Sequence, residues 1–485
     1  MKTDAKSIAE PEDDSWFASD AKVYPMAVKG TFRRIKWAIL FITLGIYYFL
    51  PFVRWDRGPN FPDQAVLVDF DRARAYFFFI EIWPQEVYYL TGLLIIAAIG
   101  LFLMNAVAGR LWCGYLCPQT VWTDLFLKIE HWTEGDRRKR IALDKQPWTT
   151  EKIARKGAKH FLWLMVAWWT GGAWVLYFAD APTLVKDLAT LQAPLAAYVW
   201  IGILTFTTYS LAGFMREQVC TYMCPWPRIQ AALTDEYALN VSYRYDRGEP
   251  RMHLKEAKKK EAVGEAAGDC IDCNQCVWVC PTGVDIRDGS QLGCIQCGLC
   301  IDACNTIMDK VDKPRGLIGY DTDDNMNRRE RGDAPVYRII RPRTIVYTLI
   351  IAGIGFIMLY ALLGREMSGL TVVHDRNPLY VNLREGAVRN GYTIRLYNRH
   401  KQPEEFQLSL AGMPEGSRLQ VVGVESQASS TVNVEVEADT TREIRVLVFS
   451  PKGSNLPSSS PMDFVLHDPQ SGETTTISDF FRTGN

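Results

Sequence analysis

The chain has 485 residues, 48% of them hydrophobic, with 54 Lys and Arg against 55 Asp and Glu. That length exceeds what one hydrophobic core organises, so several domains are expected. A formal net charge of −1 says little about partners; nucleic acid is not expected among them.

Residues 1–36 read as a solvated tail, acidic up to Asp20 and basic at Lys29, Arg33, Arg34 and Lys36. Five apolar stretches follow that approach the ~20 residues needed to cross a bilayer: 37–53, 87–108, 161–178, 196–214 and 344–363. None contains Lys, Arg, Asp or Glu, so each is predicted to be a membrane helix. No cleavable signal peptide is read, because a long polar stretch precedes the first of them. The aromatic run 75–83 contains Glu81 and is too short to cross; an interfacial or re-entrant piece is expected there.

Basic residues beside the helix ends set the expected orientation. They concentrate before the first span, after the second (Arg137, Arg138, Lys139, Arg140, Lys152, Arg155, Lys156, Lys159) and in 215–343 (Arg216, Arg228, Arg338, Arg341, Arg343). These regions are predicted to be cytoplasmic, and loops 54–85 and 179–195 to lie outside. With five spans, residues 364–485 fall outside as well. All twelve cysteines then lie inside or at the inner face, the reducing side that oxygen-sensitive clusters need.

Four cysteines flank the membrane segments. Cys113 and Cys117 stand in CGYLCPQ after the second span, Cys220 and Cys224 in CTYMCPWPR after the fourth. On a continuing helix, positions four apart share a face, so each C-x-x-x-C pair would converge on one ion, with Pro118 and Pro225 stopping or kinking the helix. Four thiolates make a soft site for Cu(I), zinc or an iron-sulfur cluster; inert buried thiols are the plainer alternative. Met104, Met215 and Met223 lie near and could add thioethers. The spans contain no histidine to hold haem, His160 merely abutting the third, and no G-x-G-x-x-G follows a plausible strand.

Residues 243–268 read as a charged surface helix or linker. Within 260–312, two copies of C-x-x-C-x-x-C-x-x-x-C follow: Cys270, Cys273, Cys276, Cys280, then Cys294, Cys297, Cys300, Cys304. This is the spacing of a two-cluster bacterial ferredoxin, in which the fourth cysteine of each run serves the other cluster. One [4Fe-4S] cluster is therefore assigned to Cys270, Cys273, Cys276 and Cys304, the second to Cys280, Cys294, Cys297 and Cys300. Pro281 follows the first run, whereas Asn305 replaces the proline of the second. Zinc ribbons or disulfides need no such duplicated runs. Residues 321–333 read as a flexible link to the last span.

Beyond residue 370 apolar residues alternate: Tyr392, Ile394, Leu396; Phe406, Leu408, Leu410; Val432, Val434, Val436; Ile444, Val446, Val448. An antiparallel β-sandwich is predicted, with isolated His374, His400 and His467 and a docking or structural role.

AGRLWCGYLCPQTVW, REQVCTYMCPWPR, CIDCNQCVWVCP and CIQCGLCIDAC together make the chain resemble the cytochrome c oxidase accessory protein family called CcoG, FixG or RdxA. The resemblance covers nearly the whole chain. It implies an α-helical membrane bundle of about five spans, an inserted ferredoxin-like domain with two [4Fe-4S] clusters, and a C-terminal immunoglobulin-like β-sandwich, in the bacterial cytoplasmic membrane. It implies reduction of Cu(II) to Cu(I) for cbb3-type oxidase assembly, copper-handling proteins and assembly factors as partners, and copper as substrate or bound ion. With it goes the expectation that Cys113, Cys117, Cys220 and Cys224 hold the copper and are catalytic. An unidentified electron donor is required, and a homo-oligomer is compatible. Two other readings stand beside this one: an electron relay from membrane quinol to a partner enzyme, and a non-catalytic assembly scaffold or copper carrier.

Overall fold

A run of exposed aromatic and aliphatic side chains marks the helices that face lipid rather than water. Phe41, Leu93, Phe206 and Phe356 are each more than half exposed, the last three on helices without the apolar and polar faces that a water-soluble helix separates. The computed structural model describes residues 22–484 apart from 59–60, 384–385, 401, 425–427 and 455; the acidic arm predicted up to Asp20 lies outside the described residues. Among these, four helices are long and apolar enough to cross a membrane: Thr31–Phe52, Pro84–Ala108, Leu195–Met223 and Pro342–Leu363. The remaining predicted stretch, 161–178, falls mostly in the helix Thr150–Val175, whose first half carries Glu151, Lys152, Arg155, Lys156 and Lys159. That helix packs against Leu195–Thr208 at Gly171, where a Cβ would sit 2.9 Å from the Ile201 carbonyl oxygen. Only a glycine permits so close an approach.

The chain divides into two units between Met358 and Leu359. In the first, helix ends gather at two levels. At one, Val68 N donates to Tyr177 O (2.8 Å), Tyr177 Oη donates to Tyr47 O (2.9 Å), and Arg54 pairs with Asp180 at 2.6 Å. Here lies the aromatic run 75–83, expected to be an interfacial or re-entrant piece. It supplies the strands Arg74–Phe77 and Ile80–Ile82 of a meander with Val66–Asp69. Glu81, which ruled out a crossing, pairs with Arg74 at 2.8 Å.

At the other level lie the cysteine loops. The strand Asn240–Tyr243 pairs antiparallel with Ile318–Asp321, bracketing both cysteine runs. Residues 321–333 are therefore no flexible link. Asp321 is fully buried between Arg244 (3.0 Å) and Arg329 (2.6 Å), and Thr322 caps the helix Asp323–Glu330 through Asn325 N. Asn305 lies inside the helix Leu299–Lys310, where proline would break the backbone ladder, and its side chain accepts from Gly316 N at 3.0 Å. The region predicted as a charged surface helix or linker holds the short helix Tyr245–Gly248 and the helix Leu254–Ala262.

The second unit contains two antiparallel sheets. One runs in the order Arg418–Val421, Thr440–Phe449, Val388–Asn398, Ser368–His374, with Val381–Asn382 also paired to Val388–Asn398. The other runs Thr431–Val436, Glu404–Ala411, Ser459–His467, Thr474–Arg482. Alternate residues of both sheets, among them Tyr392, Ile394, Phe406, Val434, Val446 and Phe464, form one buried core. Period-two alternation puts every second side chain on the same face, which is why the pattern reads as strand.

Candidate metal and electron-transfer site

Each cysteine run folds as a tight loop that enters a helix, and the two loops repeat the same backbone. Asp272 and Asn274 in the first, Gln296 and Gly298 in the second, stand at matching offsets from Cys270 and Cys294, all with positive φ. Asp, Asn and Gly tolerate this left-handed region best. It turns successive amides inward, and Gln275 N–H faces Cys273, Gln296 N–H faces Cys294 and Leu299 N–H faces Cys297. Such amide nests favour anionic sulfur.

Two cavities result. One is lined by Cys270, Cys273, Cys276 and Cys304. The other is lined by Cys280, Cys294, Cys297 and Cys300, with Cys276 on the wall between them. These are the two sets of four that the interleaved spacing assigns. All twelve cysteines are free thiols. Burial pushes Cys276, Cys294 and Cys304 up to about 12. As bare thiols they would stay protonated, whereas iron coordination deprotonates them outright. The donor set therefore fits two iron-sulfur cubanes. Arg287 reinforces the first loop, pairing with Asp272 and Asp285 at 2.5 Å each and opposing the upward shift of Cys276.

The four membrane-side cysteines do not lie on continuing helices as expected. Cys113 sits in the short helix Leu111–Tyr115, and the chain is extended at Cys117, after which Pro118 opens the helix Pro118–Thr133. Likewise Cys220 lies in the π-helical turn Val219–Met223, Cys224 is extended, and Pro225 caps the helix Trp226–Leu233. The prolines thus start the following helices, where a missing N–H costs nothing. Cys113 O accepts from Thr120 Oγ1 (2.6 Å), and Cys117 O from Thr120 N and Val121 N.

Even so, the two motifs meet. Burial pushes the Cys113 thiol up to about 12, and Cys117, Cys220 and Cys224 add to the rise, while Arg110 opposes it. Among the described residues, no three of these sulfurs lie within 4.8 Å of one another. Cys113 Sγ donates to Gln230 Oε1 at 3.4 Å. Met223 points outward, 56% exposed, whereas Met104 and Met215 are half-buried. His160 accepts or donates to Tyr209 Oη at 2.9 Å, a packing role.

Sequence reasoning did not find the residues that join the two cysteine sets. A Cβ on Gly114 would meet Ile295 O at 2.7 Å and Cys297 Cα at 3.1 Å, so the Cys113 helix lies directly on the second loop. Arg110 N donates to Gln296 Oε1 (2.7 Å), and its guanidinium donates to Leu292 O (2.6 Å), Cys294 O (3.2 Å) and Pro227 O (2.9 Å). Tyr115 Oη donates to Cys297 O at 2.9 Å. Cys113 and Cys297 belong to one buried cluster with Ile295, Leu299 and Val279. The first membrane helix is fixed to the same body, because Asp302 caps it by accepting from Phe32 N (3.2 Å) and Arg33 N (2.8 Å).

Three family models match. A 4Fe-4S binding domain covers residues 90–140, a 4Fe-4S dicluster domain 215–323, and the IG-like fold at the C-terminal of FixG 358–483. The nitrogen fixation protein FixG of Rhizobium meliloti (strain 1021) is 48% identical over 478 residues, 93% of this chain and 91% of its own. Protein RdxB of Cereibacter sphaeroides is 48% identical over 448 residues, 92% of each chain, and protein RdxA of that organism 47% identical over 442, 90% of this chain and 91% of its own. With relatives this similar across nearly its full length, the chain belongs to the FixG/RdxA/RdxB family and is a membrane-associated iron-sulfur redox protein.

Proposed function

We propose that this protein passes single electrons from two [4Fe-4S] clusters to copper held at Cys113, Cys117, Cys220 and Cys224, reducing Cu(II) to Cu(I). The observation that carries this reading is the seating of Gly114 on the Ile295–Cys297 backbone, which places Cys113 in the same buried cluster as a cluster cysteine. A bound cubane supplies one electron at a time, the stoichiometry that Cu(II) requires. The protein's part is to hold the path fixed and dry. Arg110 ties Cys294 O to Pro227 O across the two motifs, and Ile295 and Leu299 exclude water between them. Thiolates favour Cu(I) over Cu(II), so the site itself favours reduction.

In this reading the cysteine loops face the cytoplasm, because the basic residues Arg33, Arg137, Arg338 and Arg341 sit at the helix ends nearest them. The helix Thr150–Val175 is a fifth span. Its close packing on Leu195–Thr208 and its end at the meander level support this. The C-terminal unit is then an outer immunoglobulin-like sandwich, and the consumer of Cu(I) is a cbb3-type oxidase under assembly, with its copper-handling proteins. The test is serine replacement of all four membrane-side cysteines: cupric reduction should be lost while both cluster signals persist. Retained Cu(I) formation would refute the assignment.

A second reading places a third [4Fe-4S] cluster at these four thiols. Two observations favour it: the 4Fe-4S binding model spans Cys113 and Cys117, and among the described residues no three of the sulfurs lie within 4.8 Å of one another, whereas those of a mononuclear tetrahedral thiolate site lie about 3.8 Å apart. Iron analysis separates the two, with about eight irons per chain for two clusters and about twelve for three.

A further inference from the structure

His400 is isolated in sequence, yet the fold sets it between two buried carboxylates. It follows the strand Val388–Asn398, Glu404 opens Glu404–Ala411, and Asp468 follows Ser459–His467. His400 Nδ1 lies 3.6 Å from Glu404 Oε1, and Nε2 lies 3.8 Å from Asp468 Oδ2. One donor atom from each of the three lies within 4.8 Å of the other two. Glu404 is 4% and Asp468 1% exposed.

The hydrogen bonding is incomplete in one particular place. Glu404 Oε2 and His400 Nε2 are buried and have no hydrogen-bond partner among the described residues. Leaving such atoms dry and unpaired is destabilising. The surrounding groups are well anchored by contrast. Asp468 accepts from Gln470 N (2.9 Å), Ser471 N (3.4 Å) and Ser471 Oγ (2.6 Å). His400 N donates to Asn398 Oδ1 at 2.9 Å, and the buried Asn398 amide donates to Gln402, Val436 and Glu437 carbonyls. Two carboxylates and one imidazole, held on three separate segments with unspent lone pairs, form a donor set for a borderline or hard divalent ion and a poor one for Cu(I).

We propose that His400, Glu404 and Asp468 bind a divalent first-row transition-metal cation in the C-terminal unit. The ion neutralises the two carboxylates, takes the unpaired lone pairs, and cross-links the three chain segments. This site is independent of the copper reading for the membrane-side thiols.

Mn(II) is the probe of choice, since thiolates bind it poorly while imidazole and carboxylate suit it. Full-length protein in detergent is titrated with Mn(II), and the free aquo ion is followed by electron paramagnetic resonance. One Mn(II) per chain, displaced by Zn(II), is expected. Glu404→Gln should weaken binding about tenfold or more, and serine replacement of the four membrane-side cysteines should leave it unchanged. Because Glu404→Gln is nearly isosteric, its metal-free unfolding temperature checks that the unit still folds, and only the wild type should gain in that temperature with metal. Equal Mn(II) binding by wild type and Glu404→Gln would overturn the proposal. So would the absence of bound Mn(II) together with no metal-dependent gain in the wild-type unfolding temperature.

Discussion

Neutralising Glu130 tests how the Cys220 motif is held in place. Glu130 is 2% exposed as a side chain and lies among Arg140 (2.7 Å), Lys159 (3.7 Å) and Arg216, themselves 1%, 5% and 8% exposed. Arg216 has φ +36°, a strained value for a side-chain-bearing residue, four positions before Cys220. Its guanidinium is anchored by Glu130 and by Gly213 O at 2.8 Å. Glu130→Gln keeps the shape but leaves three cations around a neutral amide. Breaking a buried pair on one side costs about 3–5 kcal/mol. At the few degrees per kcal/mol typical of larger domains, the unfolding temperature in detergent should fall by roughly 5–15 °C. Burial alone would raise the Glu130 carboxyl, but Arg216, Lys159 and Arg140 outweigh it and hold it below the usual carboxylate range. Its stabilisation is therefore complete above the unfolded value of about 4.3 and is lost as pH falls through the lower folded value. The gap between wild type and variant should be full near neutrality and close in acid. A change under about 2 °C at neutral pH, where one kcal/mol already moves such a transition by that much, would refute the reasoning.

Other perturbations follow from contacts at the same level. Gly114→Ala must push the Ile295 carbonyl back by roughly 0.7 Å, costing about 1–3 kcal/mol, and should slow cluster reoxidation by Cu(II) without loss of cluster signal; a wild-type rate would contradict the proposed path. Asp302→Ala removes the cap on the first membrane helix, a loss of about 0.5–2 kcal/mol, and hydrogen exchange at the Phe32 and Arg33 amides should accelerate. In the C-terminal unit, Phe464→Ala deletes a fully buried ring packed 5.0 Å from Tyr392, and chemical unfolding should register a loss of about 3–5 kcal/mol.

The cluster cysteines were legible because most of their chemistry is local: three cysteines of each run must reach one cubane from a single tight loop, and the fourth crosses to the other cavity, a pattern that the duplicated spacing carries. The strands of the C-terminal unit were legible through their period of two. The joint between the cysteine sets was not. Gly114, Arg110 and Gln296 acquire their meaning from a contact across more than 180 residues, and nothing around them in sequence distinguishes that contact. Local composition gave no sign that the phenylalanine-rich 75–83 run forms strands of a meander, across which Arg74 and Glu81 pair. It misled at 321–333: that polar segment looked unstructured, although Asp321 draws two arginines into a buried knot. The C-x-x-x-C-P motifs read as helical pairs because spacing of four suggests one helix face. Proline instead opens a new helix at each, and convergence of the pairs is a tertiary result.

The most direct test of the account begins with anaerobic, dithionite-reduced protein, freed of excess reductant and mixed with stoichiometric Cu(II). Cluster reoxidation is followed optically while Cu(I) is trapped with a chelator. The account predicts rapid reoxidation, one Cu(I) per electron lost from the clusters, and marked slowing when Cys113, Cys117, Cys220 and Cys224 are replaced by serine. Clusters that stay reduced beside unreacted Cu(II) would contradict it and remove copper as the direct electron acceptor.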